Sequence, residues 1–197
     1  SKWPHSCLIE LYGAYGSTID PSFDVEIPSL LKRGFVYCIA HIRGGGYYNT
    51  KWYKEGKMLK KMNTFKDFIK CIDYVLDKKI TTSNELRIFG RSAGGLLIGA
   101  VSNMIPDKIG LSVLGVPFVD VINTMLDEKL NLTTGEYTEW GNPKKKKYFD
   151  YILKYSPYEN IKFDKNYPNM YIYGNLEDSR VSYWEPLKYY ARIKKSN

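Results

Sequence analysis

Histidine is the scarcest chemically versatile residue in this chain: two among 197, His5 and His41. Cysteine is nearly as rare, with Cys7, Cys38 and Cys71 forming an odd count without C-x-x-C spacing. Two of the three lie in apolar segments that read as buried elements. That pattern argues against a disulfide framework and fits a reducing, cytoplasmic compartment. No apolar run approaches the length of a membrane span, and Ser1-Lys2-Trp3-Pro4-His5 lacks the layout of a signal peptide, so no membrane partner is expected. Neither an internal repeat nor a low-complexity linker breaks the chain.

What is present suits one folded domain over 1–197. Hydrophobic residues make up 44%, and the 18 Tyr and 4 Trp are spread along the length, which excludes a disordered chain. A formal charge of +8 raises the question of nucleic acid. Its clearest basic run, Lys144-Lys145-Lys146-Lys147, follows Gly141-Asn142-Pro143 and reads as a solvated loop, so no nucleic-acid partner is expected.

Apolar runs at 9–13 and 35–42 read as strands buried on both faces, the second bounded by Gly34 and Arg43-Gly44-Gly45-Gly46. Between 64 and 76 the residues Phe65, Phe68, Ile69, Ile72, Val75 and Leu76 recur at helical spacing, with Asn63 or Thr64 available as a cap. Further strands are expected at 86–89, 111–116 and 170–173, with helices at 95–104 and from 183 onward. Strands alternating with helices predict an α/β fold, a mostly parallel sheet covered by helices on both faces. The stretch 119–155 is too long for a plain crossover and is expected to hold helices and substrate-facing loops.

Gly90-Arg91-Ser92-Ala93-Gly94 falls between the strand at 86–89 and a helical pattern. There G-x-S-x-G means a turn sharp enough to project the serine hydroxyl above the sheet. Ser92 is therefore a candidate nucleophile. In this arrangement an acid follows the serine in the chain and a histidine follows the acid. Asp178 and Glu177, just beyond the strand at 170–173, are both placed to be that acid. Both histidines precede Ser92, and His41 reads as a structural residue at a strand end.

In this order, the motifs resemble the prolyl oligopeptidase family of serine peptidases, and within it the oligopeptidase B branch. The resemblance is carried by Tyr12-Gly13-Ala14-Tyr15-Gly16, His41-Ile42-Arg43-Gly44-Gly45-Gly46, Asn63-Thr64-Phe65, Gly90-Arg91-Ser92-Ala93-Gly94-Gly95, Val116-Pro117-Phe118-Val119-Asp120, Leu132-Thr133-Thr134-Gly135-Glu136 with Glu139-Trp140-Gly141-Asn142-Pro143, and Asp178-Ser179-Arg180-Val181. It implies an α/β-hydrolase domain with Ser92 as nucleophile and Asp178, rather than Glu177, as the acid. Tyr12 and the backbone N–H of Ala93 would form the oxyanion hole. It also implies short basic peptides as substrates, cleaved after Arg or Lys, with Glu136 receiving the cationic side chain. Thr138 stands where the family has a second glutamate, with Glu139 beside it. Asp20 matches one of two acids facing the preceding substrate residue, Ser22 replacing the other, and Arg180 matches an arginine that holds a substrate carbonyl. No metal or cofactor is called for.

The same resemblance implies parts outside these residues: an N-terminal β-propeller, a last strand and helix, and the catalytic histidine. The chain reads as a partial peptidase domain, nearly inert alone, with an open sheet edge that favours self-association. An esterase on the same fold and a noncatalytic interaction fragment are the competing readings.

Overall fold

The computed structural model of the chain describes residues 4–196. Five strands form one sheet: β1 (Cys7–Leu11), β2 (Val36–Ile39), β3 (Leu86–Arg91), β4 (Leu111–Gly115) and β5 (Asn169–Tyr173). Their order is β2-β1-β3-β4-β5, and every pair is parallel. The helices are α1 (Ile27–Lys32), α2 (Thr50–Lys54), α3 (Met62–Asp77), α4 (Ala93–Met104), α5 (Val121–Leu126), α6 (Thr133–Trp140), α7 (Lys146–Leu153) and α8 (Trp184–Ile193).

The chain steps from β1 outward to β2, crosses back over β1 to β3, then continues to β4 and β5. Right-handed crossovers put α1 on one face and both α3 and α4 on the other, and α3 does pack against α4. The reversal of direction leaves a crevice between the carboxyl ends of β1 and β3, the general position of ligand sites in open parallel sheets.

The core lies on the α3/α4 face. Phe65, Phe68, Ile72 and Val75 of α3 meet Leu96, Leu97, Ala100 and Val101 of α4 and the inward residues Cys7, Ile9, Leu11, Leu86, Ile88 and Leu114 of the strands. All of these are buried, which is why the 3.6-residue recurrence was visible in the sequence of α3. The opposite face is different. Leu8, Glu10, Arg87, Phe89, Leu111 and Val113 are half-buried, so β1 and β3 alternate, and β1 is not buried on both faces as the apolar run at 9–13 suggested. At the sheet edge β2 has no fully buried position. Short α1 packs on β2 and leaves much of that face open.

Between β4 and β5 the 119–155 stretch contains α5, α6 and α7. The lysine run only partly forms a loop: Lys144 and Lys145 lie in a turn, while Lys146 and Lys147 open α7, all four exposed. All three cysteines are free thiols, and only Cys7 is fully buried. Among the described residues, no helix is long and apolar enough to cross a membrane.

Candidate active site

The site begins with a strained residue. Ser92 links β3 to α4 at φ 56° and ψ −117°, a conformation that costs an L-residue about 1–3 kcal/mol. Three backbone hydrogen bonds fix it: Ser92 N donates to Gly115 O at 2.8 Å, and Ser92 O accepts from Phe118 N at 3.1 Å and Leu96 N at 3.2 Å. The flanking glycines do not supply the positive φ, which belongs to the serine itself. Instead they supply clearance: a Cβ on Gly90 would lie 2.4 Å from Gly94 O, and one on Gly95 2.5 Å from Pro117 Cβ.

Two cavities share Ser92. One, of about 560 Å³, is bordered by Tyr12, Arg91, Ser92, Val116, Asp178 and Arg180. The other, of about 400 Å³, is bordered by Tyr15, Ser92, Ala93, Phe118, Glu136 and Trp140, among others. Tyr12 and Arg180 line both.

Asp178 follows β5 in a tight turn. Its Oδ1 accepts from Arg180 N at 2.8 Å and Val181 N at 2.9 Å, and no donor among the described residues holds Oδ2. Thus one carboxylate oxygen anchors the turn, the other is left without a protein donor among the described residues, and Asp178 borders the larger cavity. Glu177 is exposed and lines neither cavity. On the other side, the Tyr12 hydroxyl interacts with the Ser92 side chain, and burial followed by the nearby Glu136 charge pushes its pKa up, keeping it a proton donor. Ala93 opens α4, so its N–H has no intrahelical acceptor and borders the 400 Å³ cavity.

Among the described residues, Glu136 is the only carboxylate lining that second cavity. Its Oε2 accepts from Tyr15 Oη at 2.6 Å and Trp140 Nε1 at 2.8 Å, which leaves Oε1 without a protein partner among the described residues. Phe118, Met125, Leu132 and Val181 supply apolar wall to the same cavity, and Thr124, Asn131, Thr133 and Arg180 supply polar wall. Thr138 is exposed, its hydroxyl donating to Gly135 O, and does not line the cavity. Glu139 is buried and turned away, bound to Tyr15 N and Tyr53 Oη.

Not every expected residue arrives. Asp20 is exposed and lines neither cavity, whereas its neighbours Ser17, Thr18 and Ile19 border the larger one. His41 stacks on Tyr47 with ring centroids 3.9 Å apart and borders neither Ser92 cavity. His5 precedes β1, at the end of the sheet opposite Ser92. Tyr15, Trp140, Lys61 and Glu139, by contrast, were not singled out for the roles they take. The two glycines of the Tyr12–Gly16 segment, both at positive φ, are the sequence signal from which an unusual turn there could have been read.

A parallel sheet with a strained serine between strand and helix, an acid after a later strand and a switch-point crevice defines an α/β-hydrolase domain. The chain belongs to the prolyl oligopeptidase family of serine peptidases, which it matches over residues 21–197. It is similar to dipeptidyl aminopeptidase BI of Pseudoxanthomonas mexicana, 52% identical across 94% of this chain and 26% of that protein. Protease 2 of Moraxella lacunata is 44% identical across 97% of this chain and 28% of that protein. Among solved structures, oligopeptidase B from Trypanosoma brucei with covalently bound antipain aligns at a TM-score of 0.96 and 46% identity, covering 98% of this chain and 27% of that one. The chain thus spans only about a quarter of the length of the relatives it matches.

Proposed function

We propose that these residues form the acyl-transfer half of a serine endopeptidase site for short peptides cleaved after Arg or Lys. Ser92 Oγ attacks the scissile carbonyl, and the Tyr12 hydroxyl and Ala93 N–H donate to the developing oxyanion. In such sites one donor is worth about 3–4 kcal/mol of barrier. The intermediate collapses to an acyl-Ser92 ester with loss of the amine, and water completes hydrolysis. Asp178 orients the base by its free Oδ2. That base is an imidazole not supplied by His5 or His41, and the 560 Å³ cleft between Ser92 and Asp178 has room for it. Arg180 holds a substrate carbonyl in this reading, which its lining of both cavities supports.

The observation that carries the specificity is a single carboxylate oxygen, Glu136 Oε1, without a protein partner among the described residues, in a cavity of mixed polar and apolar lining that the nucleophile borders. Apolar walls suit the methylene stem of Arg or Lys, and the carboxylate suits its charged head. Binding does not need the base, so the reading is testable on this chain. Fluorescence titration with p-aminobenzamidine should show saturable binding that Glu136→Gln weakens about 10–100-fold, the range for losing one charge-assisted pair. Equal binding by both proteins would overturn the assignment.

A further inference from the structure

The turn 12–16 presents two hydroxyls to the site yet has an unfavourable backbone. Gly13, Tyr15 and Gly16 adopt φ of 69°, 58° and 65°. Tyr12 nonetheless reaches Ser92 and Tyr15 reaches Glu136. Two ionisable side chains from separate parts of the chain hold this turn, and both are buried: Lys61 at 0% exposure and Glu139 at 2%.

Lys61, immediately before α3, donates from Nζ to Gly13 O at 2.7 Å and lies 4.9 Å from the centre of the Trp140 ring. No backbone N–H among the described residues donates to that carbonyl. From α6, Glu139 Oε1 accepts from Tyr15 N at 3.0 Å, while Oε2 accepts from Tyr53 Oη at 2.6 Å. Lys57 Nζ stands 3.9 Å from Oε2 and donates to Tyr53 Oη at 2.8 Å. Packing alone does not explain Lys61, because a methionine would fill a similar volume without burying an ammonium group.

We propose that Lys61 and Glu139 are positioning residues that grip the turn at two points, Lys61 at Gly13 to set the oxyanion donor Tyr12 and Glu139 at Tyr15 to set the partner of the Glu136 carboxylate. This rests on the reading of Ser92 and Glu136 given above and deepens it. A cationic side chain seated on Glu136 is then held at a fixed offset from the oxyanion hole.

The test uses the whole chain and the variants Lys61→Met, Glu139→Ala and Glu139→Gln. Hydrogen exchange read by mass spectrometry should show segment 12–17 exchanging about tenfold faster or more in Lys61→Met and Glu139→Ala, with β1 and α4 unchanged. Glu139→Gln should stay near wild type, since its amide oxygen still accepts from Tyr15 N. A second readout separates positioning from mere folding. p-Aminobenzamidine reports Glu136 alone. A phenylboronic acid carrying the same amidine also engages Ser92: Oγ adds to boron, its proton leaves to solvent, and the anionic boronate hydroxyl faces Tyr12 and Ala93. Lys61→Met should weaken the boronic acid about tenfold, equivalent to about 1.4 kcal/mol, while benzamidine stays within about twofold. Glu139→Ala should weaken both.

Unchanged exchange at 12–17 in Lys61→Met and Glu139→Ala overturns the grip, whether or not either ligand binds. Equal weakening of both ligands by Lys61→Met also overturns it. A wild-type chain that binds neither ligand overturns the reading of Ser92 and Glu136, and the exchange result then decides the grip alone. If Lys61→Met does not fold, the Glu139→Ala and Glu139→Gln pair decides by the same criterion.

Discussion

Replacing Lys61 by Met should change not only stability but its dependence on pH. Burial pushes the Lys61 pKa down from 10.5 to about 7, with the Glu139 carboxylate only partly offsetting the desolvation. The groups facing it are the Gly13 carbonyl, the Trp140 ring and, from α6, Glu139, beyond which lies Lys57. An unfolded chain keeps this amine protonated up to about pH 10, so above pH 7 the unfolded state binds the extra proton and stability rises with pH. The penalty is fully present below pH 7 and relieved as pH climbs toward 10.5. Across the whole shift it amounts to about 5 kcal/mol, of which about 2 kcal/mol falls between pH 7 and pH 9. Lys61→Met removes that dependence but leaves Gly13 O without its donor, at a cost of about 1–3 kcal/mol. Near pH 6 the variant should therefore be the more stable by about 2–4 kcal/mol. By pH 9 the wild type should have gained about 2 kcal/mol on the variant. Urea unfolding followed by tryptophan fluorescence at pH 6, 7, 8 and 9 measures this directly, and taking the difference between the two proteins cancels every other titrating group. A difference constant across that range to within about 0.5 kcal/mol would refute a buried, proton-shedding Lys61.

Ser92→Gly should stabilise the chain by about 1–2 kcal/mol in urea, because glycine accepts φ 56° without strain, while abolishing the boronate adduct; no gain in stability would mean the turn is not strained. Glu185 is buried and accepts from Val119 N and Asp120 N at 2.9 Å each and from Thr124 Oγ1 at 2.6 Å, yet desolvation, aided by Asp120, raises its pKa to about 7. Its contribution is full below pH 4.5 and lost as pH rises through 7, so wild type should lose about 3 kcal/mol relative to Glu185→Gln between pH 4 and pH 8, read by the same unfolding assay. Phe68→Ala, which empties a fully buried position between α3 and the sheet, should cost about 3–5 kcal/mol by urea unfolding, and a loss under about 1 kcal/mol would contradict the core described above. A fluorogenic arginyl amide should show negligible turnover by this chain, since neither histidine borders Ser92.

Where periodicity and burial coincide, the fold could be read from sequence. In α3 the positions spaced three and four apart are the ones packed on α4, so its pattern and its place agree. The strand edges were harder for identifiable reasons. In the run at 9–13, Tyr12 and Gly13 belong to the turn, where Gly13 takes φ 69°, and the strand instead reaches back to Cys7. At 35–42, Ala40 and Ile42 are buried without being in β2, although Ala40 N still donates to Glu10 O at 2.9 Å, so apolarity outlasts the strand. Ser92 and Asp178 were legible because a serine turn and a loop acid are local features. Lys61 was not: it sits among Lys57, Lys60 and Lys66, and only tertiary packing separates it from its solvated neighbours. Glu139 likewise differs from Glu136 only in which way α6 turns it. Asp20 was expected from its position in a motif, and its loop carries it away from both cavities.

Because all five strands run the same way, the molecule has two unlike ends. Ser92, Tyr12 and Asp178 gather where strands finish, and the connections at 77–85 and 105–110 cluster where strands start. Exposed Asp77 and Lys78 therefore offer attachment points for a dye, a surface tether or an added peptide a full strand length from the serine, and a protein immobilised there would present its cleft to solvent in one orientation.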